Sequence, residues 1–305
     1  MKVLITGGAG FIGSHFVDRL INEKYEVRIL DIKKPENSKI EFIKGDVTDI
    51  KNVREAIKDC EYVCHLASPI SVENTEKNPI ETLNTNINGI RNILDCCLKG
   101  NVKKILFTSS SEVYGEPNIL PVPETNSLQP KSCYGVSKVV SEEYIKSYNK
   151  SYGLSFTIVR YFNVYGPRQS INFVIPKFIY LTLKNEPITI YGSGDQIRAF
   201  CFISDIINGT FLAFSKKEGK NEIFNIGNDK ETIKIRLLAK NIIELTKSNN
   251  GLKFVPLDKS DRSEKREIFK RIPDITKARN LLNYEPEITL KEGIMKIIEY
   301  MKGGK

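Results

Sequence analysis

Tyr134-Gly135-Val136-Ser137-Lys138 places a phenol and an ammonium four residues apart, on one face of any helix that contains them. A free phenol has a pKa near 10 and is a poor base at neutral pH. A fixed cation beside it favours the phenolate, and a pKa of about 7 needs roughly 4 kcal/mol of such help. Ser109-Ser110-Ser111-Glu112-Val113-Tyr114-Gly115 adds hydroxyls and a carboxylate. A hydroxyl there can share a proton between the phenol and an alcohol substrate, although a serine-rich strand end is as often only a cap or turn. The chemistry these groups suggest is proton removal from an alcohol, coupled to its oxidation.

Oxidation needs a hydride acceptor, and Thr6-Gly7-Gly8-Ala9-Gly10-Phe11-Ile12-Gly13 is built to hold one. Its glycines fall between a predicted strand and a predicted helix. They allow a tight turn, a close backbone approach to a pyrophosphate, and a helix N-terminus aimed at it. Asp31 ends the next predicted strand. A carboxylate there accepts hydrogen bonds from an adenosine ribose and repels a 2′-phosphate, which favours NAD over NADP, although Lys33 and Lys34 stand close by. Gly45-Asp46-Val47 follows the third strand, where Asp46 either meets the adenine or only starts a turn.

These groups must be positioned by a scaffold, and the first half of the chain describes one. Lys2–Thr6, Glu26–Asp31, Ile40–Lys44, Tyr62–His65 and Lys104–Ser109 read as short, near-continuous apolar strands. Between them lie helical stretches at Phe11–Asn22, Val53–Lys58 and Pro79–Leu98. Ser132–Lys150 and Ser155–Arg160 continue the alternation as helix and strand. Strands apolar on both faces and separated by helices predict an α/β, doubly wound parallel sheet of the Rossmann type. After residue 165 the elements shorten around Tyr165-Gly166-Pro167 and Tyr191-Gly192-Ser193-Gly194. A smaller C-terminal lobe is expected over 166–305, with some chain returning to the first domain of 1–165.

Composition removes several classes. With 305 residues and 40% hydrophobic content the chain is neither disordered nor a coiled coil. Its apolar runs are too short to span a bilayer, and Met1–Gly7 runs straight into a strand without a signal-peptide layout. Six cysteines without framework spacing and two histidines exclude a disulfide scaffold and the usual zinc patterns, so free thiols in a cytoplasm and no metal are expected. The net charge of +9 is spread over 46 Lys and Arg with no compact basic block, which gives no reason to expect nucleic acid.

Taken together, the motifs resemble the extended short-chain dehydrogenase/reductases, specifically the NAD-dependent nucleotide-sugar epimerase/dehydratase family. Thr6–Gly13, Asp31, Gly45–Val47, His65-Leu66-Ala67-Ser68, Ser109–Gly115 and Tyr134–Lys138 carry the likeness, followed by Arg160-Tyr161-Phe162-Asn163, Tyr191–Phe200 and Arg271–Ala278. The resemblance implies NAD held by Gly7, Gly10, Phe11, Ile12, Gly13, Asp31, Asp46, Val47, Leu66, Ala67, Ser68 and Lys138. It implies a nucleoside diphosphate sugar, with UDP favoured, gripped by Asn163, Val174, Arg198 and Arg271; the alternative for Arg271 is a surface cation. Tyr134 then takes the proton of the sugar 4-hydroxyl, Lys138 holds the nicotinamide ribose, and Ser110 is the catalytic hydroxyl. A homodimer through the two long helices is implied as well.

The fate of the 4-keto sugar turns on Ser111 and Glu112. Simple epimerases usually have a small residue or threonine at the position of Glu112. The 4,6-dehydratases of the deoxythymidine type pair aspartate with glutamate, and here that aspartate is Ser111. Ser111-Glu112 resembles the UDP-glucuronate decarboxylases and the GDP-mannose dehydratases. His65–Pro69 and Arg198-Ala199-Phe200 also resemble the decarboxylases, whereas Arg160–Arg168 and the expected loop Asn172–Pro176 are closer to the UDP-hexose 4-epimerases. Decarboxylation is the first expectation, 4-epimerisation and dehydration the alternatives, and a non-catalytic NAD sensor the least.

Overall fold

The computed structural model describes residues 1–69, 78–256 and 268–303. Strands β1 (Lys2–Thr6), β2 (Glu26–Asp31), β3 (Glu41–Lys44), β4 (Tyr62–His65), β5 (Lys104–Ser110), β6 (Ser155–Tyr161) and β11 (Glu222–Ile226) form one sheet. Its order is β11-β6-β5-β4-β1-β2-β3, and every pairing in it is parallel. The order reverses beside β1, so a crevice opens at the carboxyl ends of β1 and β4, where Thr6 is register partner to His65.

Strand alternation explains both cores. Val3 and Ile5 of β1 point to the side of α1 (Phe11–Asn22) and α6 (Ile203–Ser215), in one cluster with Phe16, Leu20 and Ile207. Leu4 points the other way, towards α2 (Ile50–Ile57), α3 (Pro79–Lys99) and α4 (Cys133–Tyr152), and joins Val53, Ile93 and Ile145. Each strand must therefore be apolar on both faces, as the sequence reads.

Helix α4, which carries Tyr134 and Lys138, begins sharply because the Ser132 side chain accepts from the Gly135 N–H at 3.0 Å, and it ends at Gly153 with φ +74°. Helix α2 starts three residues earlier than the apolar pattern alone suggests, because Asp49 caps it by accepting from the Lys51 N–H.

After β7 (Val164–Tyr165) the chain builds a lobe from α5 (Val174–Leu183), β8 (Ile188–Tyr191), β9 (Ile197–Arg198) and β10 (Cys201–Phe202). It returns through α6 to place β11 beside β6. It then leaves again through β12 (Ile233–Lys234), α7 (Ile235–Thr246), β13 (Leu252–Val255), β14 (Lys270–Arg271), α8 (Thr276–Leu282) and α9 (Leu290–Lys302). One expectation needs correction. Val174–Pro176 is the first turn of α5 rather than a loop, since proline is tolerated there and the apolar run to Leu183 continues the helix.

The turn after β1 depends on two glycines. Gly7 has φ +73°, and a Cβ there would stand 2.7 Å from the Ala67 nitrogen. A Cβ at Gly13 would stand 2.1 Å from the Gly7 carbonyl oxygen. Gly13→Ala should therefore displace the turn from α1. We expect a loss of about 1–3 kcal/mol in urea unfolding, together with at least tenfold weaker NAD binding by calorimetry, about 1.4 kcal/mol.

Candidate active site

The crevice is lined by Gly7, Gly10, Phe11, Ile12 and Gly13 on one side and by Leu66, Ser68, Thr108, Ser109, Tyr134, Lys138 and Tyr161 on the other. Gly10 stands at the N-cap of α1 with no side chain, so the leading amides of the helix are left for an anion. The Asp31 carboxylate accepts from the N–H of Ala9 at 2.9 Å and of Lys33 at 2.9 Å, and its further lone pairs suit ribose hydroxyls. The donor-rich turn and the acceptor beside it fit a dinucleotide.

Asp46 and Val47 lie elsewhere. The Asp46 side chain accepts from the Thr48 N–H and hydroxyl, as a turn-starting carboxylate does, and it borders a second hollow against the first turns of α3. Val47 is buried, and a Cβ on Gly89 would stand 2.8 Å from its side chain. The Ala67 N–H donates to the Thr6 hydroxyl, which lies 2.6 Å from His65 Nδ1. Burial, reinforced by the Lys138 charge, lowers His65 to about 3, so the ring is neutral.

Tyr134 and Lys138 project from α4 into the crevice. Lys138 is 3% exposed; its Nζ donates to the Thr108 carbonyl at 2.9 Å and lies 4.7 Å from the Phe107 ring and 5.5 Å from the Tyr134 ring. Burial pushes Lys138 down to about 7, and the Glu142 charge works against that shift. Burial also raises the Tyr134 phenol; the Glu112 charge adds to this, and the Ser110 hydroxyl opposes it. The Ser110 side chain accepts from the Glu112 N–H and so starts the 3-10 turn Ser111–Tyr114 at the end of β5.

Glu112 joins this group to the lobe. Its carboxylate accepts from Arg271 at 2.6 Å and from the Ser132 hydroxyl at 3.3 Å. Burial opposes its ionisation, but Arg271, Ser132 and Arg198 outweigh that, and the group sits below the ordinary glutamate range. Arg271 is register partner to Arg198 across β14 and β9. It is therefore an ion-pair partner at the mouth of the site rather than a surface cation. Arg198 donates to the Ile197 and Phe269 carbonyls. Asn163 has φ +38° and donates to the Ala199 carbonyl, so it braces the β9–β10 turn. Val174 stands with α5, away from the crevice lining.

Sequence reasoning passed over several groups that the fold brings here. Buried Asn86 accepts from Ser68 at 2.9 Å and donates to Ser137 at 2.8 Å, linking the β4 loop to α4. The signal was an asparagine, Asn86, three residues before Gly89 and six before Asn92 on an otherwise apolar helix face. Glu142 continues the four-residue spacing of Tyr134 and Lys138, and that spacing alone marks it as buried.

Comparison with known proteins fixes the family. Residues 3–227 match the NAD dependent epimerase/dehydratase family. The chain belongs to that family. A putative UDP-glucose 4-epimerase of Methanocaldococcus jannaschii is 42% identical over 98% of both chains. A UDP-N-acetyl-alpha-D-glucosaminuronate decarboxylase of Bacillus cytotoxicus is 35% identical over 99% of this chain and 98% of its own. The crystal structure of a UDP-glucose 4-epimerase with UDP-glucose from Thermotoga maritima superposes with a TM-score of 0.91, at 34% identity over 99% of each chain. The protein is thus an NAD-dependent nucleotide-sugar enzyme with an extended short-chain dehydrogenase/reductase fold. Among the described residues no helix is long and apolar enough to cross a membrane, and no His, Cys, Asp and Glu group could hold a metal ion.

The Glu112–Arg271 pair makes this family member's acid response predictable. Because the folded glutamate is lowered, the pair's contribution to stability is complete above the ordinary value of about 4.3 and is lost as the pH falls below it. With Arg271→Ala the burial of Glu112 remains and the cation does not. The acidic limb of the kcat/KM profile should then move upward by about one pH unit or more, as read by steady-state assays across pH.

Proposed function

We propose that the enzyme oxidises carbon 4 of a UDP-linked hexuronate and decarboxylates the product, with UDP-glucuronate as the first candidate substrate. The observation that carries this reading is the ionised Glu112 bound to Arg271, with Ser111 rather than an acid beside it. A dehydratase needs a proton donor for the leaving 6-hydroxyl. Glu112 is held below its usual range and a serine hydroxyl is a weak acid, so this pair suits that step less well than the aspartate–glutamate pair of the deoxythymidine-type dehydratases, although the GDP-mannose dehydratases carry a similar pair. Decarboxylation needs charge stabilisation for the enolate left by carbon dioxide and a proton for carbon 5. The Arg271 guanidinium, paired with Glu112 beside Ser111, brings a cation to this end of the site, and water can supply the carbon 5 proton.

NAD, when bound, supplies the hydride acceptor and a positive charge that favours the tyrosinate. The turn of Gly7, Gly10, Phe11, Ile12 and Gly13 would hold its pyrophosphate, Asp31 its adenosine ribose, and Asp46 and Val47 the adenine end. Leu66, Ala67, Ser68 and Lys138 would hold the nicotinamide half. Tyr134 removes the proton from the sugar 4-hydroxyl, with Ser110 sharing it, and Lys138 keeps the phenolate favourable. Carbon dioxide leaves the β-keto acid, the resulting enolate takes a proton from water at carbon 5, and carbon 4 would receive back the hydride removed in the oxidation as Tyr134 returns its proton. Arg271, Arg198 and Asn163 would serve the diphosphate, and Val174, at the start of α5, the base end of the substrate.

The specific support for 4-epimerisation is the 42% identity to a protein named for it; that reaction would leave Glu112 without a part. We also propose a homodimer through α3 and α4, whose exposed apolar residues include Ile80, Val136 and Tyr152, and a cytoplasmic setting that suits six free cysteines. Light scattering should give twice the 34.7 kDa chain mass.

Incubation with NAD and UDP-glucuronate, followed by mass spectrometry, tests the reaction. Loss of carbon dioxide is expected. An unchanged mass with a new epimer would support the second reading, and loss of water from a neutral UDP-hexose would overturn the first. Tyr134→Phe should lower kcat by about 10²- to 10⁴-fold with an intact fold.

A further inference from the structure

Lys138 needs its positive charge and lies where burial opposes it. The groups around its Nζ are the Thr108 carbonyl, the Phe107 and Tyr134 rings, and the neutral His65 on β4. One helical turn further along α4 stands Glu142, whose side chain is 0% exposed. One oxygen of its carboxylate accepts from the Ser109 hydroxyl at 2.6 Å and from Arg160 Nε at 3.0 Å. The other accepts from the Arg160 terminal nitrogen at 2.6 Å.

The network extends beyond that pair. Arg160 also donates to the Tyr114 hydroxyl at 2.8 Å and to the Glu124 carbonyl at 3.1 Å, and Tyr114 donates to the Asn225 side chain at 2.7 Å. One carboxylate thereby ties α4 to the ends of β5 and β6 and, through Tyr114, to the 3-10 turn and β11. Ser109 stands between Thr108, whose carbonyl holds Lys138, and Ser110. A buried ion pair is often no more stabilising than apolar side chains of the same volume, so its presence under this site calls for a reason other than stability.

We propose that Glu142 is a positioning residue for Tyr134 and Lys138: through Ser109 and Arg160 it locks α4 against the strand ends that carry Thr108 and Ser110, and so fixes Lys138 on the Thr108 carbonyl. The inference rests on reading Tyr134 and Lys138 as the proton-handling pair. Among the described residues, the titratable or charged groups around Lys138 are Tyr134 and Glu142 from α4, His65 from β4, and Arg160 and Tyr161 from β6. Glu142 is the carboxylate in this set. Its effect on Lys138 is to retain the proton against burial.

The test reads Lys138 directly. The full-length, NAD-loaded protein is labelled with ¹³Cε-lysine, the Lys138 signal is assigned by its loss in Lys138→Arg, and its titration is followed by NMR. In Glu142→Gln the midpoint should fall by about one pH unit or more, and Glu142→Asp should bring it back towards the wild-type value. Turnover of UDP-glucuronate by Glu142→Gln should fall about tenfold on the alkaline side, one unit of pKa being tenfold in protonated lysine, with KM unchanged. If Glu142→Gln does not fold, the double variant Glu142→Gln/Arg160→Met carries the measurement, with a smaller shift in the same direction expected. An unshifted Lys138 midpoint in either folded variant overturns the proposal. The titration needs no substrate. A wild-type enzyme inert towards UDP-glucuronate would therefore count against decarboxylation, while the Lys138 midpoint still decides the role of Glu142.

Discussion

Seven parallel strands all end on the same edge, and this one constraint arranges the rest of the molecule. Parallel order forces every connection to cross back over a face, which covers both faces with helices and makes both apolar. It also brings the residues that follow β1, β4 and β5 to one rim. The glycine turn, the Leu66–Ser68 loop and the Ser109–Glu112 segment are remote in sequence and adjacent in space for that reason. Catalytic chemistry is thus confined to the rim, and the buried centre of the sheet only supports it.

The rim is also where burial works against ionisation. Taking Tyr134 and Lys138 out of water disfavours both charged forms that the proposed chemistry uses: the phenol is raised and the ammonium lowered, chiefly by desolvation. The surrounding charges divide into two sets. Glu142 and Arg160 lie beneath the site, fully enclosed and fixed by strand ends. Glu112 and Arg271 lie at its mouth, more accessible and shared between the sheet and the lobe. The first set suits a constant environment, and the second suits contact with a charged substrate.

Much of this was legible in the sequence, for physical reasons. Two-faced apolar strands and the glycine spacing are local signals, so β1, β2, β4 and α1 have the expected bounds. The Tyr134–Lys138 pair is a helical spacing and needs no tertiary knowledge. What escaped is what the tertiary fold alone creates. Asn163 also braces a turn of the lobe through its side-chain amide, a contact between β6–β7 and β9–β10 that no local pattern announces. Asp46 starts a turn through its Thr48 contacts, which the sequence offers only as one of two readings. The family resemblance picks out Arg271, but its pairing with Glu112 appears only once β14 aligns it with Arg198. Asn86 and Glu142 sit on helix faces where pattern reading expects apolar residues.

The fastening between the rim and the last part of the chain has a consequence for how the enzyme is made. Glu112 finds its cation 159 positions later, and Glu116 accepts from the Phe269 N–H. Val122 is held between the Ile272 carbonyl and the Asp274 N–H. The same late segment supplies β14, without which β9 loses one of its two neighbours. A ribosome-bound chain that has completed all seven strands of the sheet therefore still lacks the counter-charge of its own acidic residue. The dinucleotide turn and the Tyr134–Lys138 pair can thus be in place before the segment that carries Arg271 joins them.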